Sequence, residues 1–319
     1  MGIARPLCRL AGQTRRKLQR AKAMTVCIAA IFRWRYSEND SGWALLGTSD
    51  RKLTSGDVEY EPPQAKYCVL ASRVILLTAG AMHTHTEAIR TTSKMLRLDP
   101  EDDVSTIAEM HASNIRSLRA KFAVEEILSP FGMNHETFLA KQRDMSADLV
   151  AGIASRISTY SFDIESIIYG LDDKGVPDIF HIDGNGIATR HTDVGFMSIG
   201  IGAGHANLQL MSAGYSQCVH HFYSALGVIY AAKKSAEIAP GVGKSTDMIL
   251  VTRSGWEVVP PPNMDMLERT YAKWQEDRQQ IANAAINAIQ AFYVAQPDNR
   301  QKPEPESGTE EAKPIEKPT

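Results

Sequence analysis

The chain has 319 residues, 43% hydrophobic and 23% charged, with a formal net charge of −2, enough to bury a sizeable core in one large domain or two small ones. Near-neutral charge gives no overall electrostatic reason to expect nucleic acid, and no apolar run approaches the roughly 20 residues that span a bilayer. The four cysteines, Cys8, Cys27, Cys68 and Cys218, lack CxxC spacing, which argues against a disulfide framework or zinc knuckle and fits a reducing, cytosolic compartment.

Residues 1–23 carry Arg5, Arg9, Arg15, Arg16, Lys17, Arg20 and Lys22, no acid and only scattered apolar side chains, so they read as a basic leader rather than a core-forming segment. No h-region of roughly 7 or more consecutive apolar residues follows, which argues against a secretory signal. An organelle-targeting leader, a propeptide and sequence upstream of a misassigned start codon remain as readings; Met24 stands where a start codon would.

From Thr25 the pattern becomes regular. The run "TVCIAAIF", the polar turn "SENDSG" and "WALLGTSD" predict a β-hairpin, and "AKYCVL" and "RVILLTAG" predict two further strands. After Gly80 the spacing turns helical, over about 84–97, 103–128 and 134–157, with Pro130 and Gly132 between the last two. Strands return at "FDIESIIYGLD", "PDIFHID", "GIATRH" and "VGFMSIGI", with Asp173-Lys174-Gly175 and Asp183-Gly184-Asn185-Gly186 at hairpin spacing. Helices are expected over about 204–216 and 218–237, then strands "DMILVT" and "WEVV", and a long amphipathic helix over about 264–294. The Pro/Glu/Lys-rich tail from Gln296 lacks the apolar content to fold. Strands and helices are segregated rather than alternating, which predicts an α+β protein with antiparallel sheets.

The stretch "GVGKST", Gly241 to Thr246, looks like a phosphate-binding loop but is not one. Ile238 stands where that loop needs its first glycine, and the stretch runs from helix into strand instead of strand into helix. It reads as a Gly-rich turn.

Thr25 is the candidate for the chemistry. If translation starts at Met24, or the leader is cut there, removal of Met24 exposes Thr25 as the terminal residue. Its α-amine, with an unperturbed pKa of about 8, can then take the hydroxyl proton and activate the oxygen. A cation nearby would hold that amine neutral, and a carboxylate would position the cation. Lys66 and Asp50, at strand ends, supply both. A Thr before an apolar run is ordinarily just a strand residue. Cys27 would be a nucleophile only if it were terminal. His83 and His85 have no third or fourth ligand placed by the sequence and read as capping or surface residues. His220-His221 reads as packing.

The segments "TVCIAAI", "SDRKLTSGDVEYEPPQAK" and "RVILLTAG" resemble the opening of a proteasome β-subunit, and resemble more closely the bacterial proteasome-related proteins such as Anbu. The resemblance resumes at "YGLDDKGVPDIFHIDGNGIATRH", at "SIGIGAGHANLQL", and from "ALGVIYAAKKSAE" through "STDMILV". It implies the four-layer α-β-β-α sandwich of the N-terminal nucleophile hydrolases, over residues 24–260, with a helical insertion at about 100–157, followed by an added helix over 261–295 and a disordered tail over 296–319. It also implies roles: Thr25 the nucleophile, Asp50 the orienting acid, Lys66 (66 − 50 = 16 residues later, as in the family) the neighbouring cation, and Gly80 the backbone N–H donor near the oxyanion. The family's supporting Asp and Ser have no counterparts at the expected spacing; Glu237 and Ser245 are the nearest offers.

The expected activity is that of a threonine-type peptidase acting on peptide or protein, with no cofactor and no metal. The resemblance implies self-assembly into rings or open helical stacks; an unfoldase partner is left open, and nucleic acid and membrane are not expected. The alternatives are an assembling scaffold that does not cleave and a small-molecule amidase on the same fold.

Overall fold

The computed structural model describes residues 25–55, 58–62, 65–98 and 103–295. The leader, Met24 and the tail from Gln296 lie outside them. Two compact units divide at Leu267/Glu268.

The first unit is mixed α+β with two antiparallel five-stranded sheets. The first sheet has the order β10-β1-β2-β11-β12, built from β1 (Cys27–Arg35), β2 (Ser41–Asp50), β10 (Phe196–Ile199), β11 (Thr246–Thr252) and β12 (Gly255–Val258). The second has the order β5-β6-β7-β8-β9, from β5 (Tyr67–Ala71), β6 (Val74–Gly80), β7 (Ile164–Leu171), β8 (Pro177–Ile182) and β9 (Ala188–Arg190). The hairpin expected from "TVCIAAIF" and "WALLGTSD" is β1–β2, paired without a bulge from Cys27↔Ser49 to Arg35↔Ser41. Period-2 alternation explains how the sheets meet: Cys27, Ala29 and Ile31 of β1 share a core with Ile75, Leu77 and Ala79 of β6 and with Ile167, Tyr169 and Leu171 of β7.

The opposite faces are covered by helices. On the second sheet lie α1 (Met82–Leu98) and α2 (Val104–Ile127), whose Ala88, Ile107, Ala108 and Ile115 pack on Val74, Leu76 and Ile168. The first sheet is covered by α5 (Ala203–Ser212) and α6 (Phe222–Ala236).

The helix expected over about 134–157 is two: α3 (His135–Lys141) and α4 (Ala147–Thr159), separated by a 3-10 turn at Gln142–Asp144. Ser146 starts α4 afresh, its hydroxyl accepting from the Leu149 N–H at 3.4 Å. With the end of α2 these helices enclose a small core of Ala123, Ile127, Leu128, Phe138 and Ile153. The helix expected from about 218 begins at Phe222, because the chain first bridges to β1 through Arg33 and His221. A short hairpin of β3 (Leu53–Ser55) and β4 (Val58–Tyr60) has no counterpart in the sequence reading.

The last element, α7, runs from Pro261 to Ala295 across the boundary between units. Within the second unit it exposes Ile281, Ile286, Ile289, Phe292 and Tyr293. Among the described residues no helix is long and apolar enough to cross a membrane.

Candidate active site

The backbone brings Thr25 and Asp50 together by register. Cys27 pairs with Ser49, so Val26 and Asp50 fall opposite each other at the open end of the hairpin, where the Asp50 N–H donates to the Val26 carbonyl at 3.2 Å. Lys66 immediately precedes β5, its carbonyl accepting from the Thr78 N–H of β6 at 3.3 Å. The second sheet therefore delivers the cation and the first delivers the hydroxyl and the carboxylate.

All three side chains are buried, at 2% exposure for Thr25, 0% for Asp50 and 5% for Lys66. The Thr25 hydroxyl donates to Asp50 Oδ1. Lys66 Nζ donates to Thr25 Oγ1 at 2.6 Å and to Asp50 Oδ1 at 3.0 Å. A charge pair this deep is tolerated only when its remaining hydrogen-bonding capacity is filled. Asp50 meets that condition: Oδ1 also accepts from the Val26 N–H at 3.1 Å, and Oδ2 accepts from the N–H groups of Lys52 at 3.1 Å and Gly243 at 2.8 Å. The Thr25 carbonyl accepts from the Gly202 N–H at 3.2 Å, while the adjoining Gly200 N–H donates to Glu165 Oε2 at 3.0 Å. The arrangement fixes a hydroxyl oxygen between an ammonium and a carboxylate.

Gly80 ends β6 opposite Ile164, and among the described residues no hydrogen bond joins it to Thr25, Asp50 or Lys66. The two strands are nonetheless neighbours, since Cys27 Sγ donates to the Thr78 carbonyl at 3.4 Å. Glycine is needed at this position for the backbone itself: φ is +115°, and a Cβ would lie 2.2 Å from the Asp163 carbonyl oxygen.

Other sequence candidates fall into place. Burial pushes the Cys27 thiol up to about 12, against the opposing pull of Lys66, so it is no thiolate at neutral pH. The surface reading of the His83/His85 pair is half corrected. His83 is exposed, but His85 is buried, its Nε2 donating to the Ala79 carbonyl at 2.9 Å, because α1 turns it onto the sheet. His220 stacks on Tyr215 with ring centres 4.6 Å apart. Among the described residues no three His, Cys, Asp or Glu side chains are grouped to hold a metal ion. Neither Glu237 nor Ser245 touches Thr25; Glu237 pairs with Lys233 at 2.7 Å, and the Ser245 N–H donates to Glu61 at 3.2 Å.

Sequence reading missed Gly243, Glu61 and Lys233. Gly243 lies in "GVGKST", which runs from the end of α6 into β11 as a turn and delivers its N–H to Asp50. Lys233 could have been found from periodicity, since it continues the buried stripe of Leu226, Ile229 and Tyr230 at helical spacing. Glu61 carries no such signal. No family model matches the chain, and no curated protein matches it in sequence.

Proposed function

We propose that the protein is a threonine-type N-terminal nucleophile hydrolase, a proteasome-like peptidase built on the four-layer α-β-β-α sandwich. The observation that carries the reading is the buried contact of Thr25, Asp50 and Lys66, formed where the first strand begins. The two sheets sharing one core, with helix pairs on their outer faces, support the same reading.

Once residues 1–24 are removed, the Thr25 α-amine takes the Oγ proton as Oγ attacks the scissile carbonyl. Lys66 holds positive charge beside the developing oxyanion and the amine, Asp50 holds Lys66, and the Gly80 N–H faces the oxyanion. The C–N bond breaks as the leaving amine takes the proton from the Thr25 amine. Water then hydrolyses the ester on Thr25, returning the proton to Oγ. The enzyme works in the cytosol as a ring or open stack of identical chains and needs no cofactor.

The test is a hydroxyl-directed covalent probe applied to protein made by its own host, with intact mass and N-terminal sequencing. A chain beginning at Thr25 that is labelled on that residue, with both label and amide hydrolysis lost in Thr25→Ala, is the expected result. Labelling that persists in Thr25→Ala would remove Thr25 from the mechanism. While Met24 stays attached the Thr25 nitrogen is an amide and no base, so a host protein retaining the leader and taking no label would make the chain an assembling scaffold.

A further inference from the structure

Lys233 is the largest charged side chain buried in the first unit outside the Thr25 cluster, at 0% exposure on α6. Its ammonium has three N–H donors, and three acceptors receive them: Glu237 Oε1 at 2.7 Å, the Gly243 carbonyl at 3.0 Å and the Lys244 carbonyl at 2.9 Å. Glu237 also pairs with Lys234 at 3.1 Å. Burial pulls the Lys233 pKa below that of an ordinary lysine, while Glu237 opposes the shift. A neutral amine could not fill all three acceptors.

The carbonyls that Lys233 holds belong to the turn whose N–H groups face the opposite way, toward two carboxylates. Gly243 donates to Asp50 Oδ2, Lys244 to Glu61 Oε1 at 2.7 Å and Ser245 to Glu61 Oε2 at 3.2 Å. The 243–244 peptide therefore lies between a cation on its oxygen and an anion on its nitrogen, which polarises it and fixes its plane. The turn has no slack: a Cβ on Gly243 would lie 2.6 Å from Glu61 Oε1 and 2.9 Å from the Lys52 nitrogen, and that nitrogen also donates to Asp50. Glu61 precedes Lys66 by five residues, so the same turn anchors the segment that carries the catalytic cation.

We infer that Lys233 is a positioning residue: by gripping the carbonyls of the 243–244 turn it aims the Gly243 N–H at Asp50, and Asp50 in turn orients Lys66 and Thr25. The geometric part stands on the hydrogen bonds alone. Its catalytic consequence rests on the Thr25 reading.

Hydrogen exchange of the full chain, resolved by mass spectrometry, separates the two. In Lys233→Met the 240–246 segment is expected to exchange about tenfold faster while β1 and β6 keep their protection, as a purely global loss of stability would not allow. Adding Asp50→Asn to Lys233→Met should accelerate that segment no further, because the Gly243 bond is already lost. Unchanged exchange in Lys233→Met overturns the inference. Should that variant fail to fold, Lys233→Met combined with Glu237→Leu removes the buried cation and its counter-ion together, and an unaltered segment there overturns the inference equally. Where the wild type hydrolyses an amide substrate, Lys233→Met should lower kcat about tenfold at unchanged KM. A wild type, processed to begin at Thr25, that takes no hydroxyl-directed label on that residue but shows the expected exchange pattern would reject the hydrolase reading and leave the positioning role intact.

Discussion

Asp50 and His111 are both fully buried, yet Asp50 accepts from five donors whereas His111 leaves one ring nitrogen without a partner. The second cluster lies between α1 and α2. Thr92 Oγ1 accepts from Asn114 Nδ2 at 2.9 Å and lies 3.0 Å from the Ala88 carbonyl and 2.9 Å from His111 Nδ1; with its proton assigned to the carbonyl, it accepts from the Nδ1–H. His111 Nε2 is then a bare lone pair, and by the same logic so is His85 Nδ1; both are buried with no partner among the described residues. The difference teaches what burial demands. An unpaired neutral ring nitrogen costs about 1–3 kcal/mol to bury, which a fold can carry, whereas a carboxylate without donors costs far more and will not stay charged.

The contrast can be broken most severely at Thr25, the proposed nucleophile, where Thr25→Ala is expected to abolish labelling and hydrolysis while the fold persists. Next, Asp50→Ala should destabilise the full chain by about 3–5 kcal/mol in urea denaturation, because Lys66 is left buried without its counter-ion. A loss under about 1 kcal/mol would show that Lys66 finds water instead.

The neutral cluster responds to acid. Burial lowers His85 to about 4, with His83 adding a smaller push, and lowers His111 to about 3, with His85 contributing. Both are neutral in the folded chain and protonate near pH 6.5 when unfolded, so below 6.5 the unfolded state binds more protons and stability falls with pH. Their contribution is complete above about 6.5 and declines by about 1.4 kcal/mol per pH unit per histidine toward pH 4. Tm measured from pH 7 to 4 should drop less in His111→Leu than in wild type, and an equal drop would place the acid sensitivity elsewhere. The smallest effect expected is that of Thr92→Val, about 1–3 kcal/mol, since it strands His111 Nδ1 and Asn114 without touching a charge.

Much of the scaffold was legible. The unbroken apolar runs in "TVCIAAIF" and "RVILLTAG" have one cause, burial of both faces of a strand, and the structure shows β1 and β6 buried in that way. The interruption at Ser146 was missed because the apolar spacing of α3 and α4 runs on across it, and only the local capping chemistry marks the break. The candidate site was legible only in part. Thr25, Asp50 and Lys66 stand at strand ends within 41 residues of one another. The turn that completes Asp50 lies 193 residues further on, and only folding reveals its approach. "GVGKST" announced a turn but not its partner. Glu237 and Ser245, chosen by type, each serve another residue.

The unbroken register of β1 and β2 makes the hairpin a ruler. From the turn closed by Tyr36 and Ser37 on the Asp40 carbonyl, nine pairs run without a bulge to Cys27↔Ser49, a span of roughly 30 Å, before Asp50 meets Val26. The phase of that count decides on which side of the sheet the Asp50 carboxylate emerges, because one residue more or less in either strand turns every later side chain over. Length changes are therefore absorbed in the 36–40 loop, where they leave the count untouched, whereas the same change beside Trp34 or Gly42 is transmitted along the whole strand to a hydroxyl it never contacts.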